Sequence, residues 1–213
     1  MKHKKLLSVL FLLIFIGLFV PASYSQNPTY TCTLANDAQT AANVYEFDIY
    51  LLRTGGTPFE LAQFQGGIDF NNLIKNGGSI TATWVPGSND PVLVTSGQVT
   101  TNINTATAGL IRIPPKLPSG GPGSGAIISD VPPGTRIGRL RLTNSVTFAT
   151  QTANLTWDFA ISAGHYPTKV FAYVAGINTD VTTQINHLFS NITNPALPVE
   201  LSSLGGPRDP ADR

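Results

Sequence analysis

Beyond its first 25 residues this chain has almost no apolar spacing of the helical kind; short stretches of β-branched and aromatic residues recur between turn signals, and the clearest of them alternate apolar and polar residues. A period of two is the period of a strand with one buried and one wet face. It excludes helical bundles and the alternating strand–helix folds. Arg136–Asn144 shows the clearest alternation, and Val44–Arg53 is the first convincing strand: Tyr45, Phe47, Ile49 and Leu51 fall on one face, Glu46, Asp48, Tyr50 and Leu52 on the other. Thr54-Gly55-Gly56-Thr57-Pro58 then turns the chain.

Further strands are predicted over 61–70, 79–85, 92–95, 98–104, 108–113, 126–131, 136–144, 154–161, 169–174 and, weakly, 178–181. Gly66-Gly67 in the second strand marks a bulge or a close backbone approach, and Gly138 permits a kink. Arg139 and Arg141 are expected on one face of their strand with Arg136 on the other. Residues 114–125 hold four prolines and four glycines and read as a long exposed loop. With the short 126–131 and the weak 178–181 set aside, about nine short strands between Gly, Pro and Asn turns, with no fixed repeat, predict a single all-β sandwich of jelly-roll type.

Both ends differ from this body. Lys2, Lys4 and Lys5 precede an apolar run over 6–20, Pro21 ends it, and Ser23-Tyr24-Ser25 follows with small residues. That is the pattern of a cleaved secretory signal peptide over 1–25, shorter than the roughly 20 apolar residues that span a bilayer. A sandwich domain over 26–193 and an extended linker with a disordered tail over 194–213 complete the expected organisation. The expected location is extracellular, with cell-surface association and no membrane contact after cleavage.

Composition narrows the function. Only 12% of residues are charged, about half the usual share. Cleavage of the leader leaves ten basic against twelve acidic residues, a net charge of −2 with no basic cluster. Nucleic-acid binding therefore lacks its electrostatic basis. Cys32 is the single cysteine, expected half-buried on a strand, so no internal disulfide forms.

Catalytic chemistry finds no constellation. His165 lies in a turn and His187 in a polar stretch; neither has metal-site or triad spacing, and both are expected at the surface. Glu46, Asp48, Asp69 and Asp158 are strand acids, but nothing selects the facing pair that a glycosidase needs. Solvation accounts for Glu46 and Asp48 sharing a polar face. The expectation is no enzyme, no cofactor and no metal. Sugar binding uses aromatic platforms, and Trp84, Tyr50, Tyr166 and Tyr173 are the candidates by position, whereas Trp157 is expected to point into the core.

Two resemblances add to this reading. The order Val44-Tyr45-Glu46-Phe47-Asp48-Ile49-Tyr50, then Phe64-Gln65-Gly66-Gly67-Ile68-Asp69-Phe70-Asn71, then Gly134-Thr135-Arg136-Ile137-Gly138-Arg139-Leu140-Arg141-Leu142 resembles cohesin-like modules and related carbohydrate-binding sandwiches. The resemblance implies a non-catalytic adhesion or binding module whose partner is a polysaccharide or a cell-surface protein. Leu197-Pro198-Val199-Glu200-Leu201-Ser202-Ser203-Leu204 is similar to a segment preceding type IX secretion sorting regions in surface proteins of the Bacteroidetes–Ignavibacteria group. After Leu204 the sequence departs from that pattern. The alternative expectation is a structural subunit of an extracellular filament or surface layer, self-assembling through edge strands or the arm over 194–204.

Overall fold

The computed structural model describes residues 26–192, so the leader and the arm expected at the two ends lie outside the described residues. Ten strands form two sheets. β1 (Tyr30–Ala41), β2 (Val44–Arg53), β4 (Ile80–Trp84), β6 (Thr135–Asn144) and β10 (His187–Ser190) make the first, in the order β10-β1-β2-β6-β4. β3 (Leu61–Asp69), β5 (Leu110–Ile113), β8 (Lys169–Val174) and β9 (Ile177–Asp180) make the second, in the order β5-β3-β8-β9, with β7 (Thr156–Trp157) also on β3. The expected all-β sandwich is the architecture observed. Every pairing is antiparallel except β1 with β10.

Alternation builds the core. Tyr45, Phe47, Ile49 and Leu51 of β2 are fully buried and meet Ile68, Ile111, Val170 and Ala172 of the other sheet in one apolar cluster. Trp157 joins that cluster, as expected.

Several expectations change. Residues 92–95 are not a strand: Pro91–Thr95 is a single helical turn, α1. Asp90 caps it by accepting a hydrogen bond from the Val92 amide, and Pro91 takes the first-turn position, so capping outweighs the β-branched run. Asp90 thus has a structural role. Residues 98–104 stay irregular because the Gln98 side chain replaces a ladder. Its amide donates to the carbonyls of Leu61 (2.9 Å) and Ala62 (3.1 Å), where β3 bulges, and its oxygen accepts from the Ala126 amide (2.7 Å). Residues 126–131 contribute one isolated bridge, Ile127 to Glu60, and the 154–161 stretch shrinks to β7. β10, and β1 beyond the strand position expected of Cys32, were not anticipated. β1 buries Tyr30, Cys32 and Leu34 and then bulges between Ala35 and Ala38, where Asn36 takes φ 54°.

Three side-chain placements are also corrected. Cys32 is fully buried, and its thiol is pushed far up by burial. His187 is buried rather than superficial, ringed edge-on by Tyr30, Trp157 and Phe159 at 4.9–5.8 Å. Arg136 shares the outer face with Arg139 and Arg141. β6 holds one extra residue there, with Ile49 opposite Gly138 and Tyr50 opposite Arg136, and that bulge turns Arg136 around.

Candidate functional site

The second sheet turns an unusual outer face to solvent. Val170 and Ala172 of β8 point inward and are fully buried, so Lys169, Phe171 and Tyr173 point outward and are half-buried. Gln63 and Gln65 of β3 lie opposite Phe171 and Lys169, and Asp180 and Asn178 of β9 lie opposite Phe171 and Tyr173. The Lys169 ammonium sits 5.8 Å from the Phe171 ring centroid and 3.1 Å from an Asp180 oxygen. Burial alone would raise the Asp180 carboxyl, but hydrogen bonds from Thr182 and Lys169 hold it below its ordinary value.

The next part of the face is made by a loop. β7 pairs with residues 68 and 69 of β3, β8 with residues 61–65, and residues 158–168 leave the sheet between them. That loop folds back across Gly67. The Asp158 amide donates to the Gly67 carbonyl (2.9 Å), and the Gly67 amide donates to the Thr168 hydroxyl (3.0 Å). A Cβ on residue 67 would overlap the Tyr166 carbonyl oxygen, so only glycine admits the loop. The close approach expected of Gly66-Gly67 is therefore real at Gly67. Gln65 donates to the Pro167 carbonyl (2.7 Å) and pins the loop from the adjoining position.

The pinned loop presents Tyr166 beside β5. Arg112, opposite Gly67 in the ladder, places its guanidinium 5.7 Å from the Tyr166 ring centroid. Burial raises the Tyr166 hydroxyl, and the Arg112 charge only partly offsets it. Burial, reinforced by the charge of Glu60, also raises the Tyr173 hydroxyl. Both phenols stay neutral donors at physiological pH.

The four aromatic residues expected as platforms do not come together. Tyr166 and Tyr173 share this face. Tyr50 is on the outer face of the first sheet, across from Arg136. Trp84 is packed against the core and donates its indole N–H to the Thr100 carbonyl (2.8 Å). Sequence reasoning missed Phe171, Lys169 and Arg112. The signal for Phe171 was present, since it stands two residues from Tyr173 on a strand whose intervening residues are small or β-branched. No local pattern could have shown Arg112 over a ring 54 residues away in sequence.

The first sheet's outer face is built differently. Glu46 and Asp48 are 6% and 5% exposed, not solvated as expected, because three arginines cover them. Arg139 and Arg141 donate to Glu46 at 2.8 and 2.6 Å, and Arg139 and Arg136 reach Asp48 at 3.2 and 4.0 Å. Burial would raise the Glu46 carboxyl, but the hydrogen bonds and charges of Arg139 and Arg141 win and lower it.

No family model and no curated protein matches the chain. Among solved structures it is similar to a type I cohesin of ScaB from Pseudobacteroides cellulosolvens, at 9% identity, TM-score 0.44, covering 76% of this chain and 88% of that one. It is also similar to a type II cohesin module of the ScaA scaffoldin of Acetivibrio cellulolyticus, at 8% identity and TM-score 0.46, covering 78% and 88%. A type II cohesin–X-dockerin complex from the same organism gives 8% identity, TM-score 0.46 and coverage of 76% and 97%. A likeness at this level assigns no residue of this chain a role and names no ligand for it.

Proposed function

We propose that this protein is a secreted, non-catalytic binding module that takes a protein partner at the cell surface on the outer face of its second sheet. The observation that carries the reading is the pair of cation-roofed rings, Arg112 over Tyr166 and Lys169 over Phe171, with Tyr173 beside them. Protein interfaces concentrate Arg and aromatic side chains in this way, with hydrogen-bonding groups around them. Gln63 and Asn178 supply such groups here. A stacked sugar needs a bare ring face, and the cations already occupy one face of Tyr166 and of Phe171, so a protein partner fits better than a polysaccharide.

The test is photo-crosslinking. A crosslinking amino acid placed at Tyr173, and separately at Thr83 on the opposite face, is exposed to the surface proteins of the source organism. A discrete protein adduct from position 173 alone, lost when Phe171→Ala is added, supports the reading. Adducts only from position 83, or retardation of the chain in a polysaccharide gel abolished by Tyr173→Ala, overturn it.

A second reading, a structural subunit of an extracellular filament or surface layer, is favoured by exposed Leu188 and Phe189 on β10, the parallel edge strand of the first sheet. Concentration-dependent assembly in sedimentation, abolished by Leu188→Lys, would support it, and a monomer at every concentration would remove it.

A further inference from the structure

At the end of β3, beside the loop that crosses Gly67, the fold brings Asp69 to two residues of that loop, Asp158 and His165. Asp69, Asp158 and His165 each place one ligand-type atom within 4.8 Å of the other two. Asp158 forms the floor. Its side chain is 2% exposed; one oxygen accepts from the Ala160 amide (2.9 Å) and faces His165 Nδ1 (3.1 Å), the other accepts from the Tyr166 amide (2.7 Å). Those amides fix the carboxylate from below and explain its burial. They do not explain Asp69.

Asp69 ends the strand next to that carboxylate, half-buried, and among the described residues its own carboxylate makes no hydrogen bond and no ion pair. Two carboxylates this close, one of them desolvated, repel unless a positive charge lies between them. Burial, and then the charge of Asp158, pushes the Asp69 carboxyl up, while His165 pulls it down. Arg112, the nearest arginine of the face, is engaged with Tyr166 instead. His165 is 43% exposed at its side chain and stands over the pair like a lid residue reachable from solvent.

We infer that Asp69, Asp158 and His165 form a binding site for a divalent metal ion of the zinc class. One imidazole nitrogen with two carboxylate oxygens is the donor set of a borderline metal rather than of calcium or magnesium, which take oxygen alone. Tetrahedral coordination needs ligand atoms about 3.3 Å apart; His165 Nδ1 and the Asp158 oxygen already stand 3.1 Å apart, so the closing movement falls to the half-buried Asp69 side chain at the strand end. Asp158, held by two backbone amides, stays in place as the fixed ligand. Three protein ligands leave a fourth position on the solvent side, open to water or to a side chain of a bound partner. The ion would tie the loop over 158–168 to the end of β3, and the inference stands whether or not the outer face binds a protein.

The experiment is calorimetric titration of the untagged, metal-stripped chain with zinc ion, alongside ¹H–¹⁵N spectra of the histidine rings. The expected result is one site per chain with a shift of the His165 ring nitrogens and none of His187. Asp69→Asn and His165→Ala should each weaken binding by about tenfold or more while the metal-free chain keeps the circular dichroism spectrum of the folded sandwich. Asp158 is not used as the diagnostic, because its loss would release the loop. Absence of saturable binding overturns the proposal. So does zinc binding that both variants retain, and so does a His165 ring that responds to pH but not to zinc, which would make a proton the occupant.

Discussion

The two outer faces of this sandwich use charge in opposite ways. On the first sheet the carboxylates lie underneath and the arginines on top: Glu46 and Asp48 are buried by the guanidinium groups that neutralise them. On the second sheet the aromatic rings lie underneath and the cations on top, over Tyr166 and Phe171. The ion pairs of the first face use the bonding capacity of both members, whereas on the second Lys169 gives one of its three donors to Asp180 and Arg112, over its ring, makes no ion pair among the described residues. The first face is therefore closed on itself and the second is open. Charge count alone would have pointed to the first face, which holds three arginines.

The strongest way to break this comparison is Gly67→Ala. The added methyl group overlaps the Tyr166 carbonyl, so the loop over 158–168 must lift from the sheet and carry Tyr166 with it. The expected cost is about 3 kcal/mol by urea denaturation, at the upper end for overpacking because the obstacle is backbone. Intact stability would show that the loop does not depend on the crossing, and the open face would lose its rigid half.

Next in size is Glu46→Gln. It removes the negative charge under Arg139 and Arg141 and should cost about 2 kcal/mol at pH 7, less than a fully buried pair because both arginines reach solvent. The sign with pH follows from the lowered carboxyl. Its contribution is complete above the ordinary value of 4.5 and is lost as pH falls through the lower folded value, so wild type should lose stability in acid over a range where Glu46→Gln does not. A cost below about 0.5 kcal/mol would mean that the face is not closed and that its arginines are free for a partner.

Much of this was legible in the sequence because alternation reports burial directly. β2 and β8 appear with their observed ends, and the inward set of β2 is correct to the residue. Elements failed where a side chain overrode the pattern. Asp90 capped a helical turn out of a β-branched run, and Gln98 substituted its amide for a ladder. β1 was hidden by Asn36-Asp37 in its middle, where a left-handed residue bulges the strand without ending it. The proposed binding face was half legible. Tyr166 and Tyr173 followed from their type, but Arg112 over Tyr166 and Asp69 beside Asp158 are contacts between segments far apart in the chain, and nothing in the alternation sets Lys169 over Phe171. Period-two reasoning assigns a residue to a face and is silent about its neighbours across the sheet.

His187 joins the two halves and gives a third, smaller test. Burial lowers its pKa from 6.5, and hydrogen bonds to the carbonyls of Thr183 and Gln184 only partly oppose that. Tyr30 of β1 and Trp157 of β7 pack on its ring, so protonation strains the first sheet's edge and the second sheet's loop together. Because the folded value is depressed, the stability it confers is complete above pH 6.5 and declines as pH falls below that toward the folded value. Hydrogen exchange of the β10 amides should accelerate over this range, and His187→Phe should make exchange insensitive to it. Equal sensitivity in both proteins would place the acid response elsewhere.

The smallest expected effect is the most discriminating one. Tyr173 points outward from β8, and its ring has none of the core contacts that hold Tyr45 or Phe47. Tyr173→Ala should therefore change the free energy of unfolding by under about 0.5 kcal/mol, the ordinary range for a surface position. Its effect on binding of the proposed partner should be far larger, because aromatic side chains carry much of the energy of protein interfaces. A stability loss above about 1 kcal/mol would make the ring part of the fold's own packing. The second face would then be closed like the first, and the contrast between the two sheets would no longer locate a partner.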